Sequence, residues 1–202
     1  MTKKNYFIAI LYIIFVSYHV HASEDSKTVG LIDKYLAGIK TIQTNFVQQD
    51  SSNGSTRSGY AYISKPNKIR VEYYNPEQEL IILNSDLIMH YNVDLKEANY
   101  LNRENFVLDV LSTKDFKIAS QTEVKKVTTS GNFANIEFTV LKDKSNRLIS
   151  LSFKTNPIEL KAIRIQQGGD NDSCVDVKFT NLLVNQPIDE YLFNFNNRKI
   201  IE

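Results

Sequence analysis

Apolar and polar residues follow two different periods along this chain, and the change falls just before Ile42. Between Ser26 and Lys40, apolar residues recur at steps of three and four, which predicts an amphipathic helix. Gly30 and Gly38 lie inside this segment, and each weakens a helix by roughly 1 kcal/mol relative to alanine. We therefore expect the helix to depend on docking its apolar stripe against the rest of the fold.

From Ile42 onward the period is two residues, which is typical of strands with one buried face. Turn residues such as Asn53-Gly54 and Asn75-Pro76 separate the alternating runs, so the pattern predicts an antiparallel meander. About eleven strands are predicted. They span residues 42–49, 56–63, 69–74, 79–83, 87–93, 98–102, 123–129, 133–141, 147–154, 158–166 and 173–180.

A second helical segment is predicted over Arg103–Leu111, between the sixth and seventh strands. No linker, repeat or low-complexity run divides residues 23–202, so we expect a single domain of mainly β (α+β) class. The alternation gives a large curved sheet one apolar face, which the short helices could cover. The sequence leaves open whether the enclosed interior is solid or hollow.

The first 22 residues have the organisation of a secretory signal peptide. A short basic start precedes an apolar run from Tyr6 to Val20, and Val20-His21-Ala22 forms a small-x-small cleavage motif. The run is shorter than the ~20 residues that a spanning helix needs. We predict export and cleavage after Ala22; the alternative is an uncleaved amino-terminal anchor. Removal of this segment lowers the formal net charge from +1 to −1, which disfavours nucleic acid as a partner.

The chain offers little catalytic chemistry. Cys174 is the sole cysteine, and we interpret it as a core or edge residue rather than a nucleophile. His90 is the one histidine beyond the first 22 residues, so neither a histidine metal cluster nor a cofactor is expected. Glu72 and Glu79 are predicted to be solvent-exposed, and the loop Gly168–Asp172 is interpreted as a turn rather than a calcium site. Motifs of hydrolases, nucleotide-binding proteins and zinc proteases are absent. An enzyme is therefore disfavoured.

Several sequence motifs carry a family resemblance through their order. The early helix runs into Ile42–Gln49; then come Gly59–Tyr73 with its Lys65-Pro66-Asn67, Leu87–Asn92, and a terminal Asp189–Phe195. This order resembles the LolA family of periplasmic outer-membrane lipoprotein carriers. The resemblance implies an incomplete antiparallel β-barrel of about eleven strands, with a lid of short helices over a hydrophobic cavity for acyl chains.

The resemblance also implies a function and a set of partners. The protein would be a monomeric periplasmic carrier without enzymatic activity. It would take outer-membrane-directed lipoproteins from an inner-membrane ABC-type release complex and deliver them to the outer membrane, with a possible acceptor protein there. The alternatives are a periplasmic lipid- or lipoprotein-sensing regulatory module of related fold and a small hydrolase. Sensing modules usually carry a second domain, for which 180 residues leave no room.

The resemblance places functional roles on particular residues. Lys65 stands where the family usually has an arginine that ties the lid shut, and lysine keeps the charge but lacks the planar fork. In the family, the strand after Pro-Asn has inward-facing positions, and these correspond here to Ile69, Val71 and Tyr73. Together with these we expect six further residues to line the acyl cavity, rather than to fill a solid core: Met89, Tyr91, Phe106, Val107, Val110 and Leu111.

Overall fold

The computed structural model describes residues 24–103, 108–166 and 173–200. The predicted signal peptide with its cleavage site lies outside the described residues. So do Phe106, Val107 and the loop Gly168–Asp172.

Within the described residues, the strands form one antiparallel sheet of eleven, which confirms the predicted number and the mainly β class. Their order is β6-β5-β4-β3-β2-β1-β11-β10-β9-β8-β7, so β1 and β11 join two meanders at the middle of the sheet. The strands are β1 (Thr41–Asp50), β2 (Thr56–Ser64), β3 (Lys68–Asn75), β4 (Glu79–Asn84), β5 (Leu87–Asn92), β6 (Glu97–Asn102), β7 (Thr122–Ser130), β8 (Phe133–Val140), β9 (Leu148–Thr155), β10 (Ile158–Gln166) and β11 (Cys174–Val184).

Helices cover one face of this sheet, which we call the inner face. Helix α1 is described over residues 24–38, close to the predicted 26–40. Its Ile32 and Leu36 side chains are each only 1% exposed, and burying one such side chain stabilises the fold by about 1.5–3 kcal/mol. The inserted segment contributes two one-turn helices, α2 (Asp109–Ser112) and α3 (Ile118–Gln121). The predicted longer helix over 103–111 is thus observed only as the short α2 within the described residues.

The opposite, outer face of β3–β5 is covered by the C-terminal segment, residues 187–200. A 3₁₀ turn, Glu190–Phe193, lies in it, and Phe193 is 1% exposed. Leu80, Ile82 and Met89 are fully buried in a second small core on this face, with Phe195 packed against them. Both faces of this part of the sheet are therefore buried.

A buried ion pair fixes the C-terminal segment to β3. The Arg70 guanidinium contacts the Glu72 carboxylate, and both side chains are fully buried. Arg70 also donates hydrogen bonds to the main-chain carbonyls of Leu192, Asn197 and Lys199. Charges out of water are stable only when paired and hydrogen-bonded in this way. The predicted solvent exposure of Glu72 is wrong because the C-terminal segment shields the polar side of β3.

Candidate functional site

An apolar cavity of about 290 Å³ lies between the inner face of the sheet and the inserted segment. Strands β1–β4, β10 and β11 contribute its walls, and Leu108 and Leu111 close it from the helical side. The cavity lies across the junction of the two meanders, where Phe46 of β1 is paired with Phe179 of β11.

The strand register explains why the inner face is hollow at this point. Thr44, Ala61, Val71 and Ile81 are cross-strand partners in turn, so they form one row across β1–β4. All four line the cavity. Thr44, Ala61 and Val71 in this row have small side chains, whereas Phe46 and Tyr73 in the next row form an edge-to-face pair with ring centroids 5.2 Å apart.

Gly59 permits that aromatic pair. A Cβ atom added at Gly59 would lie 2.5 Å from Cζ of Phe46 and 2.3 Å from the main-chain oxygen of Glu72. The glycine therefore lets the Phe46 ring pass over β2 and reach Tyr73 on β3. The aromatic wall of the cavity depends on this single position having no side chain.

The turn Lys65–Asn67 holds the C-terminal ends of two helices that cover the inner face. The Lys65 Nζ atom donates a hydrogen bond of 2.9 Å to the carbonyl oxygen of Leu36 in α1. The main-chain N–H of Asn67 donates a 2.9 Å bond to the carbonyl oxygen of Ser112, the last residue of α2. Carbonyls in the last turn of a helix have no partner within it, so one turn of the sheet satisfies both ends.

Further polar contacts tie α1 to its neighbours. The Asp33 carboxylate accepts hydrogen bonds from the N–H groups of Ile118 and Ala119, at 2.7 and 3.2 Å, and so caps α3. At the end of α1, the side chain of Asn185 donates a 3.0 Å bond to the carbonyl oxygen of Gly38. We refer to α1, α2 and α3 together as the lid.

Some of the residues expected at the cavity are found there. Val71, Tyr73 and Leu111 line it. Ile69 faces the same side and is buried in the main core beside it. Val110 is buried but lines a separate cavity of about 400 Å³ between α2, α3 and the β8–β9 connection.

The expectation is wrong for Met89 and Tyr91. Met89 pairs with Ile82, which pairs with Arg70, and this row belongs to the outer face. Tyr91 packs against the second core on that same face. Side chains alternate between faces along a strand, so the inner-facing residue between them is His90.

Sequence reasoning missed the cavity walls that β1 and β11 provide. Phe46, Val177 and Phe179 line the cavity. The signal was present, because both strands alternate with a period of two. It could not be used without knowing that β1 and β11 are neighbours, since 120 or more residues separate them in sequence.

One end of the inner face is polar. The phenolic oxygen of Tyr73 donates a hydrogen bond of 2.9 Å to Oε1 of Gln48, and both residues line the cavity. The Arg57 guanidinium carbon lies 3.8 Å from the centre of the Tyr73 ring, a cation–π contact. Arg57 Nη2 is 2.6 Å from Oε2 of Glu79, which is also 3.1 Å from Nε2 of His90. We call these five residues the polar end.

Burial and charge act in opposite directions at the polar end. Burial by itself raises the pKa of the Glu79 carboxyl, but Arg57 and His90 beside it bring that pKa below its ordinary value. Burial also raises the pKa of the Tyr73 hydroxyl, although the Arg57 charge partly opposes this. Glu79 is therefore a carboxylate at neutral pH, and Tyr73 remains a neutral hydrogen-bonding group.

In residues 24–103, 108–166 and 173–200, histidine, cysteine, aspartate and glutamate never come together in a group of three that could bind a metal ion. Among the described helices, none has the length and apolar character required to cross a membrane.

Comparison with known proteins gives the family. The family model described as outer membrane lipoprotein carrier protein LolA matches residues 37–196. A protein of Psychromonas ingrahamii named outer-membrane lipoprotein carrier protein is 26% identical, covering 97% of this chain and 95% of its own length. An uncharacterized protein of Rickettsia prowazekii is 22% identical, covering 98% of this chain and 90% of its own.

A solved structure supports the fold. The DUF1329 family protein from Desulfovibrio piger superposes with a TM-score of 0.52 at 11% sequence identity, covering 84% of this chain and 95% of that one. The family match spans the whole sheet together with α2 and α3, from the last two residues of α1 to beyond the 3₁₀ turn. This chain belongs to the LolA family of outer membrane lipoprotein carrier proteins.

Proposed function

We propose that this protein is a periplasmic carrier that encloses the acyl chains of lipoproteins released from the inner membrane and delivers them to the outer membrane. The inner-membrane ABC-type release complex would load it, and an acceptor at the outer membrane would receive the cargo. The cleaved signal peptide, the single domain over 23–202 and the monomeric state are parts of this proposal. No reaction is catalysed; the protein binds and releases.

The observation that carries the proposal is the apolar cavity under the lid. The cavity has a volume of about 290 Å³, is partly open to solvent, and is lined mainly by apolar side chains. Ligand-binding sites are typically concave and mostly apolar with a few polar groups, and their volumes are about 300–1,000 Å³. A lining of this kind favours a ligand with an apolar chain.

The energetics of an acyl chain explain why such a carrier is needed. At about 0.8 kcal/mol per buried CH₂ group, a 16-carbon chain costs more than ~10 kcal/mol to expose to water. A lipoprotein with two or three such chains cannot cross an aqueous compartment unaided. The proposed roles follow from position: Val71, Tyr73 and Leu111 contact the chains, and Lys65 ties the closed lid.

Substitution of one cavity residue tests the proposal. Val71→Glu places a carboxylate in the cavity, so uptake of a fluorescent fatty-acid probe should fall at least tenfold. If the cavity opens to water, the carboxylate reaches solvent and the fold survives; in a solid core it would cost several kcal/mol and unfold the domain. Thermal melts of the same samples separate loss of binding from loss of fold.

Val47→Glu is the matched control. Val47 lies on β1 beside the cavity residue Phe46 but points to the outer face and is 38% exposed. The same change there should leave both the melting temperature and probe uptake near the wild-type values. Normal uptake by a folded Val71→Glu variant would contradict the proposed cavity.

A second assay separates carriage from sensing. Inner-membrane vesicles that contain a lipoprotein and its release complex are incubated with the protein, and the soluble fraction is assayed for the lipoprotein. A carrier releases lipoprotein in proportion to the protein added, whereas a sensing module of related fold would bind it without depleting the vesicles.

A further inference from the structure

The polar end lies at the opposite end of the cavity from Lys65, whose contact with the Leu36 carbonyl we call the latch. Gln48 follows Ile42 by six residues on β1, and both line the cavity. At ~3.3 Å per residue this separates them by about 20 Å along the strand. Lys65 follows β2 next to the Ile42 end, because Ile42 pairs with Ile63. The cavity lining is therefore polar at its Gln48 end, and it also includes the charged side chain of Arg147, which is paired with Asp143.

The polar end is built by the sheet and not by a flexible loop. Gln48 and Arg57 are direct cross-strand partners on β1 and β2, and Tyr73 and Glu79 are partners on β3 and β4. Their strand positions place all four side chains on the inner face, the face that bears Phe46, Ala61 and the other cavity residues. Arg57 and Glu79 are largely shielded, with side-chain exposures of 24% and 15%.

The charges at the polar end balance within the site. Arg57 is paired with Glu79 and stacked on Tyr73, so its positive charge is already compensated. Gln48 and Tyr73 are neutral hydrogen-bonding groups. After the Tyr73–Gln48 hydrogen bond, the Gln48 amide nitrogen still has donors and the Tyr73 oxygen still has lone pairs. This set suits a head that both donates and accepts hydrogen bonds without net charge.

We propose that the polar end is a subsite for the neutral, amide-bearing head of an acylated peptide, and that Glu79 makes it discriminate against anionic lipid heads. The inference rests on the proposed acyl-binding function and adds the chemistry of the head. An amide offers one N–H donor and one carbonyl acceptor, which match Gln48 and Tyr73. A carboxylate or phosphate head has to compete with Glu79 for Arg57 and is repelled by the Glu79 charge, which is discrimination by an unfavourable contact.

Two probes with the same acyl chain test this inference. N-palmitoylglycinamide has a neutral amide head and palmitate has an anionic one; each is titrated at neutral pH against a bound fluorescent acyl probe. The quantity compared is the ratio of the palmitate dissociation constant to that of the amide. For the wild-type protein we expect this ratio to be about 10 or more.

Two variants should move the ratio in opposite directions. Glu79→Gln removes the repelling carboxylate and leaves Arg57 uncompensated, so palmitate should bind at least tenfold more tightly and the ratio should fall. Arg57→Gln removes the cation and leaves the carboxylate, so the ratio should rise. The matched control is Glu159→Gln, which breaks the partly exposed 2.6 Å ion pair with Lys161 on β10 and should leave the ratio unchanged.

The outcomes separate this inference from the proposed function. If neither probe binds to the wild-type protein, the acyl-binding function itself is wrong. If both bind but the ratio is the same in the wild-type protein and both folded variants, acyl binding stands and the head subsite is overturned. Thermal melts identify any variant that does not fold, and the other variant then decides the question.

Discussion

Removal of the Lys65 amine should loosen the lid by an amount that the structure allows us to estimate. The Lys65 Nζ atom donates to the Leu36 carbonyl at 2.9 Å, at the C-terminal end of α1, where a cation also interacts favourably with the helix dipole. The same carbonyl otherwise accepts only a longer 3.3 Å bond from Ile39 among the described residues. Lys65→Met keeps the length of the side chain and removes the donor.

Two opposing effects determine how much free energy the Lys65 contact contributes to the closed lid. A hydrogen bond from a charged group contributes about 1.5–3 kcal/mol. Burial lowers the pKa of the Lys65 ammonium, with Asp115 opposing that effect, so part of this contribution is offset by desolvation. We take the net as about 1–2 kcal/mol, which corresponds to a roughly 5- to 30-fold increase in the population of the open lid.

Hydrogen exchange of the amides in residues 24–38 measures this opening directly. We expect exchange in α1 to accelerate roughly 5- to 30-fold in Lys65→Met, while exchange in β8 and β9 stays at the wild-type rate. Lys65→Arg should slow exchange in α1, because a guanidinium presents more donors in a fixed geometry. Lys126→Met, an exposed lysine on β7, controls for the lost charge. Identical α1 exchange in Lys65→Met and the wild-type protein would refute the latch.

Two glycines should respond to alanine substitution in opposite ways. Gly59→Ala places a Cβ atom 2.3 Å from a main-chain oxygen that cannot easily move. We expect the free energy of unfolding to fall by about 1–3 kcal/mol, measured by denaturant titration. At Gly30 an added Cβ atom meets nothing within 4 Å, so Gly30→Ala should stabilise α1 by about 1 kcal/mol and slow hydrogen exchange in residues 24–38. Faster exchange there would contradict this prediction.

The number of strands and the class of the fold could be predicted because each strand carries its signal locally. Period-two alternation, bounded by Asn-Gly and Asn-Pro turns, located all eleven strands to within a few residues. The α1 helix was equally predictable, because its buried residues recur at three- and four-residue steps. These patterns depend only on neighbours in sequence.

Face assignment could not be predicted in the same way, because it depends on register between strands. The assignment of Met89 to the cavity is wrong for this reason. Alternation shows that successive side chains point to opposite faces, but it does not say which of the two sets faces the lid. A local signal did exist: Leu80–Leu83 is an unbroken apolar run, which indicates a strand buried on both faces. The partner for its second face, the C-terminal segment held by Arg70, lies more than 100 residues away. Sequence spacing does not show that contact.

Burial of the acyl chain and the Lys65 contact differ greatly in free energy, so they have different tasks in the proposed carrier. Burial of one acyl chain contributes more than ~10 kcal/mol, whereas the Lys65 contact contributes about 1–2 kcal/mol. Because the latch stabilises the closed lid without cargo, its loss should tighten the binding of every cargo by the same factor, roughly 5- to 30-fold. Selection among chains of equal length must come from groups that contact the head, and Gln48, Arg57 and Glu79 are placed to do this. Variants at Lys65 should thus shift the affinity for all acylated molecules by the same factor, while variants at Glu79 should change which acylated molecule is bound.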